Sequence, residues 1–445
     1  MWQDKKILLL GGNGFIGRAL LRTLKEKKYT HITCASRREA PEEVLPGVRY
    51  LSGVDVTRPE TLVNPIFDAE IVINLIGLVS FFRRDRKMLQ AINVEGVKNI
   101  LEVCAKNPSL ERFIHVSSTA ALGFGDQEID EESRFDWESY KNLVYSYSKF
   151  LPNEDVIKSR LPINIIYPAL VLGPDNKENT GRLFGYVRNK KTILAPSGSN
   201  SIIDVRDLAE AIITILEKSS AGECYIAAEE SIPFTKLFQS IAHVLGQETH
   251  VHRLAPFWKY IVPMLVKWAE FFGIGEVGYE QMFMGFQTRR HNISKLRALG
   301  WKPKYSLEQS LRDFLTGNLG YNGNYEQVSR KTFYRSRFFI ALAWGNYRVF
   351  SRIAILERGS FSAFSDYRNS RDYSTKKTFF IHYPVRILGI RISHLVIGPG
   401  LSQSKYSNLL FVSAVSGIGV FGVFDFWTSV GGNGRPAKNT IYVYL

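Results

Sequence analysis

The sequence predicts an α/β protein whose larger part is a doubly wound parallel sheet. Three observations lead there. Strand-like apolar runs alternate with amphipathic helical patterns through the first half of the chain, a glycine-rich turn joins the first such pair, and hydroxyl, phenol and ammonium side chains follow strands at the edge where open α/β sheets bind ligands. The 445 residues suffice for two or three domains, and 45% apolar against 22% charged residues is the ordinary globular range, which disfavours wholesale disorder and fibrous repeats. Three cysteines, Cys34, Cys104 and Cys224, lack CxxC spacing; they argue against a disulfide framework or zinc ribbon and suit a reducing compartment. The opening MWQDKKILLL is too short an apolar stretch for a signal peptide, so a cytoplasmic location is expected, with peripheral contact at a membrane as the alternative.

Taken in order, strands are expected at 7–10, 31–35, 71–76, 113–116 and 163–167, and helices at 15–24 and 89–104. Glycine and polar stretches at 174–180 and 196–201 mark loops of a second lobe, and helical periodicity resumes at 205–216 and 234–245. The aromatic stretch 254–273 reads as a kinked helix over a hydrophobic substrate cleft; core and membrane-surface contact stand as alternatives, and Lys259, Pro263, Lys267 and Glu270 make it a poor membrane span.

The resulting domain division is 1–317 for the α/β part, with a substrate lobe mainly from 174–202 and 224–317, a linker at 318–330, and a C-terminal domain at 331–445. From residue 318 onward sixteen Lys and Arg face five Asp and Glu, so +11 of the formal +15 lies there. In that domain a helix is expected at 335–353 and strands at 379–397 and 440–444. The nineteen uncharged residues 406–424 read as two strands joined at glycines or as a membrane-inserted run. With no nucleic-acid motif in view, nucleic acid is not an expected partner; a membrane surface or a protein is the partner considered for this basic segment.

The strongest local signal is Gly11-Gly12-Asn13-Gly14-Phe15-Ile16-Gly17, after a strand and at the start of an apolar helix. Glycines permit a tight turn and close backbone approach, and the helix N-terminus offers free N–H groups to a pyrophosphate. Some 20 residues on, where an acid would accept from the ribose of NAD, the chain has Ser36-Arg37-Arg38. Guanidinium groups suit a 2′-phosphate, so NADP is favoured with NAD as the alternative. Asp55 and Val56 follow a third short strand, Asp55 as acceptor for the adenine amine, and Asn74-Leu75-Ile76-Gly77 would lie against the adenosine half. Ser117-Ser118-Thr119 follows the strand at 113–116. Downstream, Tyr145 and Lys149 share a helix face at i and i+4, so the ammonium can ease ionisation of the phenol; Tyr373 and Lys377 repeat that spacing, which shows how little it proves alone.

In this order Gly11-x-x-Gly14-x-x-Gly17, Asp55, Asn74-Leu75-Ile76-Gly77, Asn93 in Asn93-Val94-Glu95-Gly96, Ser117-Ser118, Tyr145-x-x-x-Lys149 and the stretch from Tyr167-Pro168 to Gly173-Pro174 resemble the extended short-chain dehydrogenases/reductases. That group is also called the NAD-dependent epimerase/dehydratase family, and the wording is most similar to its dihydroflavonol-4-reductase and 3β-hydroxysteroid-dehydrogenase branch. Asn179-Thr180-Gly181-Arg182-Leu183, Ile203 to Leu208 and Leu299-Gly300-Trp301-Lys302-Pro303 fit that branch as well. The resemblance spans about residues 4–317. Leu10 and Tyr167 depart from its usual threonine and arginine.

The resemblance implies a Rossmann domain with a small α/β substrate lobe and a catalytic trio of Ser118, Tyr145 and Lys149. Tyr145 would exchange a proton with the substrate oxygen, Ser118 would hydrogen-bond that oxygen, and Lys149 would tune Tyr145 and hold the nicotinamide ribose. Asn93, Tyr167 and Pro168 would join the cofactor site. The activity implied is hydride transfer between nicotinamide and a hydroxyl or carbonyl carbon of an apolar small molecule. Nucleotide-sugar epimerisation or dehydration, or cofactor binding without turnover in an assembly, as in the similar respiratory complex I subunit, remain open, as does homodimerisation. No metal site is expected: His250 and His252 could share a strand face but lack a third ligand. Arg83-Arg84-Asp85-Arg86-Lys87 reads as a solvated loop near the cofactor cleft.

Overall fold

The computed structural model describes residues 2–40, 44–176, 179–275 and 277–319, and beyond them only the backbone of short strands between 353 and 444. The chain divides into two compact units, Met1–Phe339 and Ile340–Leu445.

In the first unit seven strands form one parallel sheet: β1 (Ile7–Leu10), β2 (Ile32–Ala35), β3 (Val48–Leu51), β4 (Ile71–Asn74), β5 (Arg112–Val116), β6 (Ile163–Pro168) and β7 (Cys224–Ala227). Their order across the sheet is β7-β6-β5-β4-β1-β2-β3. β1, β4 and β6 are buried at every position, as continuous apolar strands covered on both faces must be. The helices α1 (Phe15–Glu26), α2 (Val144–Lys158) and α3 (Val205–Lys218) flank the sheet, α1 lying against α3. The strand order reverses between β1 and β4, whose last residues Leu10 and Asn74 are in register. In such a sheet the ligand crevice opens at that switch point.

The smaller lobe has its own apolar core, built on residues such as Leu172, Phe184, Ile193, Ile202, Leu237 and Phe314. Its three-stranded sheet pairs Leu170–Leu172 in parallel and Ser231–Pro233 antiparallel with Ser199–Asp204. Two helices, α4 (Trp258–Phe271) and α5 (Tyr279–Gly285), lead from this lobe back to the start of α2, and α6 (Leu307–Leu319) closes the described part of the unit.

In the second unit Asn408–Ser413 pairs antiparallel with Phe421–Phe426, the two-strand arrangement considered for 406–424. Further antiparallel pairs join Phe379–Ile381 to Leu395–Ile397 and Val385–Ile387 to Ile390–Ile392. The helix expected at 335–353, apart from Ile353 in the strand Ile353–Ala354, and all but the first two residues of the linker expected at 318–330 lie outside the described residues. Among the described residues no helix is long and apolar enough to cross a membrane.

Candidate active site

The glycines of the first turn have separable tasks. Gly11 adopts φ +86°, a left-handed conformation, while its N–H donates to the Ala35 carbonyl at 2.8 Å. A Cβ on Gly12 would sit 2.5 Å from the Cys34 Sγ, and one on Gly17 would meet the backbone of Gly12. Gly14 differs: it is exposed, has an unstrained φ of −74°, and a Cβ there would meet only the Gly11 carbonyl, at 3.2 Å. It is also the N-cap of α1, where no side chain caps the first-turn N–H groups. An exposed helix start with free donors and no side chain over it fits a dinucleotide pyrophosphate. Phe15 and Ile16, half-buried, begin the helix on its inner side.

Around this turn the protein holds its own geometry. Asn13 donates to the Ser36 hydroxyl at 2.9 Å and accepts from the Cys34 thiol, and the Ser36 hydroxyl donates to the Arg38 carbonyl. Arg37 and Arg38 are exposed past the end of β2. Burial raises the Asp55 carboxyl, but the Thr57 N–H and hydroxyl, with the charges of Arg37 and Arg58, outweigh it and hold the group below its ordinary value. Asn74 is fully buried, its amide oxygen accepting from the Ile76 N–H and its nitrogen facing His115; Leu75 and Ile76 are half-buried and Gly77 is exposed.

Ser118, Tyr145 and Lys149 come together at the carboxyl edge of the sheet. Ser118 follows β5, its hydroxyl accepts from the Ala120 N–H, and its side chain is near enough to the Tyr145 phenol to favour the ionised form. Tyr145 and Lys149 lie one turn apart on α2 and are both buried. The Lys149 Nζ lies 2.7 Å from where a Cβ on Gly77 would stand, so only glycine there leaves the ammonium its place. Burial raises the Tyr145 phenol to about 12, against a smaller lowering by Ser118, and the Glu280 charge adds to the rise. Burial also brings Lys149 down to about 8. Phe81 meets the Tyr145 ring edge-on, centroids 5.1 Å apart, with Leu78 packed beside it.

Several expected cofactor side chains are engaged within the protein. Asn93 lies in the π-wound turn Gln90–Glu95 and donates to the Leu78 carbonyl and the Ser148 hydroxyl while accepting from the Leu78 N–H. It therefore ties the loop after β4 to α2. Val56 is buried against Gly96, where a Cβ would lie 2.7 Å away. Tyr167 is a core residue of β6 with its hydroxyl toward Cys224, and Pro168 is buried at that strand's end. The side chains of Asn93, Val56, Tyr167 and Pro168 are thus taken up by packing and hydrogen bonds within the protein. His250 and His252 lie exposed on the strand His250–Arg253.

The sequence reading missed Glu280. Fully buried on α5, it accepts from the N–H groups of Tyr145 and Ser146 at 2.7 and 2.8 Å and from the Ser146 hydroxyl at 2.6 Å, capping the helix that bears the phenol. Buried Arg289 supplies a positive charge that acts on it. The helix expected within 254–273 is present as α4, with Pro263 inside it. α4 buries only Pro263 and Val266 and turns its aromatic side chains outward.

A sequence profile described as the NAD dependent epimerase/dehydratase family matches residues 7–228. A Synechocystis protein named as a dihydroflavonol 4-reductase is 27% identical over 329 residues, 68% of this chain and 91% of its own length. A 3-beta-hydroxysteroid dehydrogenase of Mycolicibacterium neoaurum is 21% identical over 333 residues, 70% of this chain and 90% of its own. The crystal structure of a Bacillus anthracis dTDP-glucose 4,6-dehydratase in complex with NAD is similar with a TM-score of 0.57 at 18% identity, covering 73% of this chain and all of that one.

Proposed function

The chain belongs to the NAD dependent epimerase/dehydratase family, and from that premise we propose that residues 1–317 form an NAD(P)-dependent oxidoreductase acting on the hydroxyl or carbonyl carbon of an apolar small molecule. The observation that supports it most is that Ser118, Tyr145 and Lys149 come together at the carboxyl edge of the sheet, with Lys149 against Gly77 and the neighbouring Ile76 against Gly11 of the glycine turn. When bound, the nicotinamide supplies or accepts the hydride. Tyr145, a phenol that burial keeps neutral well above physiological pH, is suited to give a proton to a carbonyl oxygen. Ser118 beside that phenol and the Lys149 ammonium one turn away favour its ionised form. Phe81 and Leu78 around the phenol suit an apolar substrate, in keeping with relatives named for dihydroflavonol and hydroxysteroid chemistry.

NADP is the preferred form in this reading, because Arg37 and Arg38 are exposed at the end of β2 and free to meet a 2′-phosphate. Tyr145→Phe should lower hydride transfer by orders of magnitude with cofactor affinity nearly unchanged, and an unchanged rate overturns the catalytic assignment. Replacing Arg37 and Arg38 by Ala should weaken NADP more than NAD, measured in the same titrations. Cofactor binding without turnover by the parent would favour the assembly reading. Substrate conversion with no net change in cofactor absorbance would favour an epimerase or dehydratase.

A further inference from the structure

Of the sixteen large apolar side chains exposed among the described residues, eight lie between Phe257 and Phe272. The others are spread over the rest of the first unit, as is ordinary for a protein surface. Within α4 the exposed positions recur at helical spacing: Tyr260 at 71%, Met264 at 51%, Trp268 at 59% and Phe271 at 79%, with Ile261 and Leu265 beside them. The opposite side holds buried Pro263 and Val266 and the half-buried Glu270. The Glu270 carboxylate accepts from the Arg83 and Tyr279 N–H groups, which fastens α4 to the turn after β4.

The exposed charges described on α4 and on the turn fastened to it are positive, while Asp85 of that turn and Glu270 are half-buried. Lys259 and Lys267 are exposed on α4, and Arg83 and Arg84 are exposed on the turn fastened to it. Glu270 is the only acid in residues 254–275, and it is turned inward. We propose that α4 lies flat on an anionic phospholipid bilayer, its aromatic stripe among the headgroups and its cations on the lipid phosphates. Aromatic rings with a basic rim on a convex helix match that interface. A two-fold contact with a second copy would bring the four cations against their own equivalents. The helix, 14 residues long, extends roughly 21 Å at 1.5 Å per residue. That is short of the roughly 30 Å apolar core of a bilayer, so it rests on the surface.

The test is flotation of the full chain with vesicles of phosphatidylcholine alone or mixed with phosphatidylglycerol. The parent should float with the mixed vesicles and far less with phosphatidylcholine. Trp268→Ser combined with Phe271→Ser should lower that affinity about tenfold or more at unchanged melting temperature, since both side chains are exposed. Lys259→Glu with Lys267→Glu should remove the preference for the anionic lipid. A Trp268→Ser, Phe271→Ser variant that floats like the parent overturns the proposal and assigns the binding to the basic segment beyond 318. A parent that does not float, or whose dimer in light scattering is dissociated by the same pair while flotation is unaffected, also overturns it.

Discussion

Glu280 carries a charge into the interior beside the candidate catalytic phenol, and its consequences can be measured. Burial pushes its carboxyl up to about 7, against the Ser146 and Tyr145 donors and the Arg289 charge, which pull it down. Because the folded-state value lies above the ordinary 4.5, its contribution to stability is complete below about 4.5 and is lost as pH rises through about 7. Glu280→Gln cannot ionise, so the fall in urea midpoint between about pH 5 and about pH 8 should be shallower than in the parent. At the acid end the variant should be less stable by about 1–3 kcal/mol, because an amide nitrogen in the place of Oε2 cannot accept from the Tyr145 N–H. An equally steep fall in both proteins would show that the pH dependence arises elsewhere. Tyr145 and Lys149 were legible in the sequence because i and i+4 share a helix face. Glu280 was not, since it lies 135 residues from Tyr145 in a stretch whose pattern marks no site.

The first turn and its helix form an element in which neighbouring glycines should respond differently to the same substitution. Gly12→Ala and Gly17→Ala force a Cβ into Cys34 or into the backbone of Gly12, and should lower the melting temperature as well as cofactor affinity. Gly14→Ala meets only one carbonyl at 3.2 Å and leaves φ unstrained, so the fold should melt within a few degrees of the parent while cofactor affinity falls at least about tenfold. Equal loss of stability in all three variants would mean that Gly14 is only a packing residue. Spacing identified the motif but could not say which glycine faces the ligand, because that depends on where Cys34 on β2 comes to lie. The same limit explains α4. Its aromatic content was plain, yet whether the stripe covered a cleft or faced outward was set by the few residues that hold it down, Pro263, Val266 and Glu270.

At the scale of the whole first unit, a part-buried polar knot joins α3, which flanks the large sheet, to α6. Asp204 caps α3 and pairs with Arg206, whose other nitrogen reaches Asp313 on α6 at 2.7 Å; Ser310 of α6 donates to Asp204 at 2.6 Å. Asp207, fully buried, accepts from the Lys304 and Tyr305 N–H groups, while its backbone carbonyl takes the Trp301 indole N–H. Asp207→Ala should therefore destabilise the protein by about 1–3 kcal/mol through two part-buried backbone donors left without their acceptor, read as a lower urea midpoint at unchanged m-value; a midpoint equal to the parent's would show that the knot is not structural. The alternation of apolar runs and the glycine turn were enough to predict the parallel sheet, Ser118 at a strand's end and Tyr145 with Lys149 on one helix face, because strand and helix periodicity and the steric need for glycine are local properties of a chain. Only the tertiary structure decided that Tyr167, Val56 and Asn93 are engaged in packing and hydrogen bonding, that Glu280 caps the helix bearing Tyr145, and that α4 shows most of its rings to solvent. Each of those depends on which distant segment fills the space beside the residue, and burial between elements far apart in sequence leaves no period to read.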